Sequence, residues 1–506
     1  MTSKTSKMLS RLLVSLLALS LLSLGAWAQT LRVAQGADAV SLDPHRTNDQ
    51  PSARVMRQIY DTLVVQNEDL SLTPGLAASW EQVEPTVWEF SLREGVTFHN
   101  GEPLQASDVV FTFNRMLDPE VAAPASFLLG FVESVEAIDD MTVRITTEFP
   151  FAPTLSHFSH TATSILNELA VTEAGDDYGT DVVVGTGPFQ FVRWETASQI
   201  VLERNDNWHG GEVLPEQVIF RPIAEGTVRA IELETGGIDI AYTLEPSDVR
   251  RFADNPDIVI EAVETLSTAY VGFNVQREPF DNVLVRQAIN HAIDVETIVD
   301  VIYSGQAVRA TSPISPRVFG ANPDLEPFEF NPELARELLA EAGFADGFST
   351  SIWTNDNPLR IQIAEIVQAQ LGDIGIQVDI QVLEWGTYLS ETAAGNHDMF
   401  ILGWVTVTAD ADYGLYALFH SDNFGNAGNR TFWGDDRVDE LLNLGRTSID
   451  PDERLAAYLE AQAIIAEEAP WIFLLISTEE NGLRSNVQGF VPHPAGHHRL
   501  YSVSLQ

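Results

Sequence analysis

The chain lacks cysteine altogether, and beyond its seventh residue it lacks lysine. Without cysteine there is no disulfide, no thiolate nucleophile and no sulfur ligand for a metal, so stability has to come from burial and backbone pairing. A lipid-anchored export signal needs a cysteine just after its cleavage point, and this chain offers Gln29 instead. Lysine occurs only at Lys4 and Lys7, which leaves arginine as the working cation against 73 acidic residues. Long apolar runs are also missing after the first two dozen residues, so no later segment is expected to span a bilayer.

What is present at the start reads as an export signal. Lys4, Lys7 and Arg11 precede an apolar run from Leu12 to Leu24, and Ala26-Trp27-Ala28 has the small-x-small form of a cleavage site. Residues 1–28 are therefore expected to be removed, leaving about 478 of 506 residues, enough for two or three domains. Losing the three cations of that segment takes the formal charge from −45 to −48. A field of that sign disfavours nucleic acid and anionic membrane surfaces. A saline habitat, where salt screens the self-repulsion, and a GC-rich genome that replaces Lys by Arg both account for it.

The motifs of common chemistries are absent. There is no G-x-S-x-G elbow, no H-E-x-x-H and no phosphate loop. Gly185-Thr186-Gly187-Pro188 lacks the following GK[ST], and its proline removes a donor such a loop would use. With so many acids, any carboxylate pair is expected by chance, so no catalytic pair is assigned. His157 and His160, and His493, His497 and His498, form two small groups. Surface or loop positions are the favoured reading, with a nickel or zinc ligand role left open. Asp410-Ala411-Asp412 has oxygen-ligand spacing but lacks the glycine and distal glutamate of an EF-hand loop. No metal and no cofactor is expected.

The order of elements is legible in places. Leu31–Ala34 reads as a strand, and Pro51–Val65 as a helix followed by an extended segment. Val87, Trp88, Phe90 and Leu92 suit a strand, and Ser107-Asp108 suits the start of a helix. Asp281 is the expected cap of a helix carrying Leu284, Ala288, Ile289 and Ala292 on one face. Asn331-Pro332 opens another, which Gly343 ends. Arg360–Leu371 reads as a helix, and Ile376, Val378, Ile380 and Val382 alternate as a half-buried strand. Helix-then-strand units of this kind argue for α/β domains.

Residues 185–211, GTGPFQFVRWETASQIVLERNDNWHGG, form a two-stranded unit bounded by turn residues. As a string the segment closely resembles the signature of the extracytoplasmic solute-binding proteins, family 5, that serve peptide and nickel ABC importers. Three other blocks resemble the same family: the Trp-x-Phe-x-Leu-Arg strand at 88–93 with Phe98-His99-Asn100-Gly101, the Phe273-Asn274 to Ile289 stretch, and the Asn331-Pro332 helix.

The resemblance implies an α/β, two-lobe periplasmic-binding-protein fold with hinged lobes and an inserted domain. By analogy the first lobe spans 30–66, 187–265 and 484–506, the inserted domain 67–186, and the second lobe 266–483. It implies a non-enzymatic, monomeric periplasmic protein that captures peptides, oligopeptides by preference, and passes them to permease subunits. Other cargoes stay open: glutathione-like peptides, oligosaccharides, opines or nickel chelates. So do a sensor or chaperone role and, from another class, a hydrolase using scattered carboxylates.

The expected ligand contacts lie mostly in the aromatic, glycine-rich segment 400–433: Trp404, Asp410, Asp412, Tyr413, Arg430 and Trp433. Thr354, Asn274, Ala37 and Asp38 complete the set that the resemblance implies. Two positions depart from the dipeptide-binding pattern. Val407 stands where that pattern has an aspartate for the peptide amine, and Thr354 where it has an arginine for the carboxylate. Strict dipeptide specificity is therefore not expected, and longer or less charged solutes fit better.

Overall fold

The computed structural model describes residues 30–304, 306–426 and 428–506. The export-signal reading of residues 1–28, with its cleavage site, lies outside the described residues.

Two sheets organise the chain. A mixed sheet of eleven strands runs in the spatial order Gln377–Leu383, Ser349–Asn355, Met399–Val405, Ile258–Phe273, Trp471–Arg484, Ile240–Ala241, Thr30–Gln35, Gln217–Pro222, Gln199–Arg204, Phe189–Glu195, with Ala307–Arg309 paired to the side of Trp471–Arg484. A separate four-stranded antiparallel sheet holds Ala77–Glu84, Val87–Leu92, Thr142–Thr147 and Val132–Asp139. Helix Ala106–Leu117 packs on it through Val109, Phe113 and Met116.

The two longest strands carry the chain from one half of the large sheet to the other. Ile258–Phe273 and Trp471–Arg484 pair antiparallel along nearly their whole length. Their register breaks between Glu264 and Thr268 and again between Ala269 and Tyr270. On one side of the break Ile240 and Ala241 join Leu483 and Gly482; on the other, Met399–Val405 joins Ser267–Phe273. A bulge at this point bends both strands and exposes Thr265 and Ser267 to a cleft.

Helices form where local chemistry favours them. Gln50–Ile59 is capped by Asp49, whose carboxylate accepts from Ser52 N at 3.3 Å, with Pro51 in the first turn. Pro358–Asp373 is capped by Asn357 and buries Ile363, Ala364, Val367 and Leu371, one face at helical spacing. In the chain it joins the parallel strands 349–355 and 377–383, a crossover that fits the helix-then-strand pattern in sequence. The 332–341 helix is capped by Asn331 as its Asn-Pro start suggests. Two expected caps sit elsewhere. Asn282, not Asp281, caps helix Val283–Ala292, because Asp281 falls inside the turn closed by Asn282 N to Pro279 O. Gln105 precedes helix 106–117, and Asp108 instead accepts from the Gln105 N–H at 3.0 Å.

The glycine-proline segment of residues 185–188 has a packing role. It crosses the end of helix 50–59, where Gly187 N donates to Ile59 O at 2.8 Å. A Cβ on Gly187 would lie 2.6 Å from Ile59 C, so only glycine permits the approach. The hairpin Phe189–Glu195 with Gln199–Arg204 then begins at the edge of the large sheet.

Candidate functional site

The register break of the two long strands forms the floor of a cavity of about 330 Å³. Thr265, Ser267, Ser477 and Glu479 supply the floor. One wall is the start of helix 50–59 with Ala37, Asn48, Asp49 and Arg54; His160 and Thr161 flank it. The facing wall comes from the ends of strands 349–355 and 399–405 (Asn355, Trp404), from the helical segments 358–373, 385–393 and 412–416 (Arg360, Trp385, Tyr413) and from the turn at Arg430.

Side chains already join the two walls. Trp385 Nε1 donates to Asp49 Oδ2 at 3.2 Å, and the Tyr413 hydroxyl lies 3.2 Å from Asn48 Nδ2 and 3.1 Å from His160 Nε2. Tyr413 also packs on the Trp404 ring at 5.1 Å between centroids. The segment between Phe400 and Trp433 thus does contribute aromatic wall, as its composition suggests.

Charge in the cavity runs against the charge of the chain. Four arginines line it, Arg54, Arg229, Arg360 and Arg430, against two carboxylates, Asp49 and Glu479. Two of the four are spent internally. Arg54 Nη2 meets Glu479 Oε1 at 2.7 Å, and His498 Nε2 lies 2.9 Å from the same oxygen. Burial alone would raise the Glu479 carboxyl, but the Arg54 and His498 contacts outweigh it and hold it down to about 2. Arg229 donates to three carbonyls, of Ile223, Ala224 and Thr243.

The other two are uncommitted. Arg360 is the third residue of its helix. Asn357 caps its backbone N–H at 3.1 Å, and Asn355 Oδ1 accepts from Nη1 at 2.9 Å. The guanidinium then lies 5.5 Å from the Trp385 ring centre. Arg430 is 7% exposed, and among the described residues its guanidinium makes one hydrogen bond, from Nε to Thr392 Oγ1 at 3.2 Å. Burial lowers its pKa, partly offset by Tyr270 and Tyr388. Among the described residues neither guanidinium has a carboxylate within 4.0 Å. Asp49 is the complementary case: among the described residues it has no cation within 4.0 Å, and burial raises its pKa despite bonds from Ser52, Thr47 and Trp385.

Of the residues expected from sequence, the cavity brings together Ala37, Trp404, Tyr413 and Arg430. The remaining six lie outside its lining. Asp410 is held by Arg454 Nη2 at 2.7 and 2.9 Å, and Asp412 lies between Arg446 and His157. Both carboxylates are therefore committed to structural ion pairs. Trp433 packs on Phe419, and its carbonyl accepts from Asn429 Nδ2. Thr354 is fully buried within its strand. Asn274 holds a turn through Gly395 O and His397 O. Asp38 accepts from Trp194 Nε1 and Ala197 N on the 189–204 hairpin.

The histidines correct a second expectation. His157, His160, His493, His497 and His498 are all buried, not on the surface. Burial pushes His493 down to about 3 and His160 and His497 well below the ordinary range, so these rings are neutral. Among the described residues no group of three or more His, Asp or Glu could hold a metal ion. Sequence reasoning missed Arg360, Trp385, Arg54, Glu479 and Asn48, and it read His160 as a surface or loop residue. A usable signal existed only for Arg360, a cation directly behind a capping Asn-Pro in a chain poor in cations.

Comparison with known proteins matches this architecture. The family described as "Bacterial extracellular solute-binding proteins, family 5 Middle" matches residues 71–426. Heme-binding protein A of Haemophilus influenzae is 32% identical over 479 residues, covering 89% of this chain and 87% of the relative. Glutathione-binding protein GsiB of Salmonella typhi is 31% identical over 472 residues, covering 92% of each. Among solved structures, the periplasmic binding protein DppA of Helicobacter pylori with the peptide STSA superposes with a TM-score of 0.88 at 33% identity, covering 94% of this chain and 98% of that one.

Proposed function

As a member of the bacterial extracellular solute-binding proteins, family 5, the chain is the non-enzymatic substrate-binding component of an ABC transporter, and we propose that its cargo is a short acidic peptide with two carboxylates and one amine. One observation carries this reading. In a chain with 73 acidic residues, three of the cavity's guanidiniums have no carboxylate within 4.0 Å among the described residues; Arg229 is filled by three backbone carbonyls, while Arg360 and Arg430 are not, and one carboxylate, Asp49, has no cation. Guanidinium forks suit carboxylates. A buried unpaired charge is costly, so the pattern favours a ligand that supplies the missing partners.

The volume points the same way. A cavity of about 330 Å³ is at the small end of ligand sites, which favours a short peptide over a long one. Val407 at the wall offers an amine nothing, which leaves Asp49 to receive it. The related glutathione-binding proteins make glutathione the first probe.

Capture proceeds by closure. The two crossover strands, bent at Glu264–Thr268, act as hinges, and a ligand touching both walls favours the closed form by its differential affinity. The closed protein then docks, as a periplasmic monomer, on a membrane permease.

Calorimetric titration tests the reading. Glutathione or a related acidic tripeptide should bind in the micromolar range, and its bis-amide at least tenfold more weakly. Equal affinity for the acid and the amide would rule out carboxylate recognition, and so would tighter binding of neutral peptides.

A further inference from the structure

A second cavity, of about 340 Å³, lies one turn further along helix 50–59 than the first. Arg54 faces the ligand cavity, while Arg57 and Gln58 face this one, and His497 lines both. Its wall carries Arg57, Arg93 and Arg499, with His209, His493 and His497 between them.

These cations are poorly countered. Arg57 donates from Nε to Thr161 Oγ1 at 2.9 Å and from Nη2 to the Ser159 carbonyl, and Arg93 donates to Gly75 O at 3.2 Å. Among the described residues neither has a carboxylate within 4.0 Å. Arg499 donates to Gln66 O at 2.7 Å and reaches Glu68 only at 3.6 Å. The one carboxylate in the wall is Asp61, whose Oδ2 already receives Thr186 Oγ1, Trp208 Nε1 and His209 Nε2. The opposite ring nitrogen of His209, Nδ1, is buried without a partner.

Like charges crowd one another here. Burial and then the Arg499 charge push Arg57 down to about 9. Burial, Arg57 and Arg499 push His493 down to about 3. Such a cluster loses free energy for want of an anion, and an anion placed among the guanidiniums would relieve the repulsion.

We propose that this second cavity is an oxoanion site, in which Arg57, Arg93 and Arg499 receive a phosphate- or carboxylate-type group. Three guanidiniums lining one cavity suit a small oxoanion. The site stands apart from the peptide reading, since none of its three arginines lines the first cavity.

Titration with inorganic phosphate of the ligand-free mature protein tests it. The expected result is one saturable phosphate site, weakened at least tenfold by Arg93→Gln and by Arg57→Met, and unchanged in Arg360→Met. Arg93 touches only one backbone carbonyl through its guanidinium, so its variant stays folded even if Arg57→Met does not, and melting curves report which. A repeat with the first cavity saturated by acidic peptide identifies the source of the anion. Retained phosphate binding assigns a free anion, and lost binding assigns an acidic group of the cargo reaching past His497. No saturable phosphate binding would overturn the proposal. Unchanged affinity in the Arg93 variant, or loss in Arg360→Met, would place the anion elsewhere and overturn it too.

Discussion

The carboxylate of Asp412 lies 3.1 Å from His157 Nε2, and both side chains are fully enclosed. Arg446 approaches the other carboxylate oxygen at 2.9 Å and covers the Tyr416 ring at 3.6 Å from its centre. This contact ties the aromatic 412–416 turn to the Thr154–His157 turn, which packs beside the four-stranded sheet. Burial disfavours the Asp412 charge, but Arg446 and His157 outweigh it and lower its pKa.

Asp412→Asn should therefore act on stability, leaving Arg446 buried without its counter-charge. The expected cost is about 3 kcal/mol in urea unfolding. Peptide affinity per folded molecule should be unchanged. A stable variant with lost binding would instead make Asp412 a ligand contact.

Trp404 and Arg430 should behave in the opposite sense. Trp404→Ala should weaken cargo binding by about 2 kcal/mol if the ring is an anchor. Arg430→Met should cost about 2 kcal/mol or more with an acidic peptide and little with its amide. Calorimetry of both variants against both ligands separates apolar contact from charge recognition. A parallel loss for acid and amide in the Arg430 variant would reduce its role to packing.

Acid should destabilise the fold in two windows. His45 and His493 are held near 3, and His99 and His397 near 4, by burial. Unfolded histidine binds a proton near pH 6.5, so stability present above that pH is lost as pH falls below it. Glu479 is held near 2, so its contribution survives to about pH 4.5 and is lost between there and 2. Urea midpoints should fall between pH 7 and 5 before carboxylates titrate, and His45→Gln should flatten that slope. A flat profile over that interval would contradict neutral burial.

Gly187→Ala should destabilise without touching the cavity. The added methyl meets Ile59 C at 2.6 Å and Gln58 O at 2.9 Å. Backbone cannot yield as a side chain can, so a cost of about 1–3 kcal/mol is expected. A lowered melting temperature with normal cargo affinity would assign the 185–188 turn to scaffold packing.

Much of the scaffold was legible because its signals are local. Asn331-Pro332 and the alternation at 376–382 act through neighbouring residues, and so they read directly. The cap of helix 283–292 shifted by one position, because a turn closed by Asn282 N to Pro279 O claimed Asp281, and at helix 106–117 Asp108 reaches back to the Gln105 N–H from inside the helix. The site was less legible. Trp404, Tyr413 and Arg430 stand in one conspicuous segment, whereas Arg360, Trp385 and Asn48 come from three unrelated places. Acidic residues misled most: Asp410 and Asp412 resemble ligand contacts in composition, yet Arg454 and Arg446 had already claimed them.

By itself the sequence determined the kind of protein. The α/β pattern acts through short spacings, and the solute-binding scaffold was legible because four blocks resemble a known family, which the match over residues 71–426 shows. Only the tertiary structure decided which charges are available to a ligand. Seventy-three acids and the 25 arginines beyond the first 28 residues pair across hundreds of positions, as Arg54 does with Glu479. A charge is free only where folding leaves it without a partner, and that is a property of space, not of order along the chain.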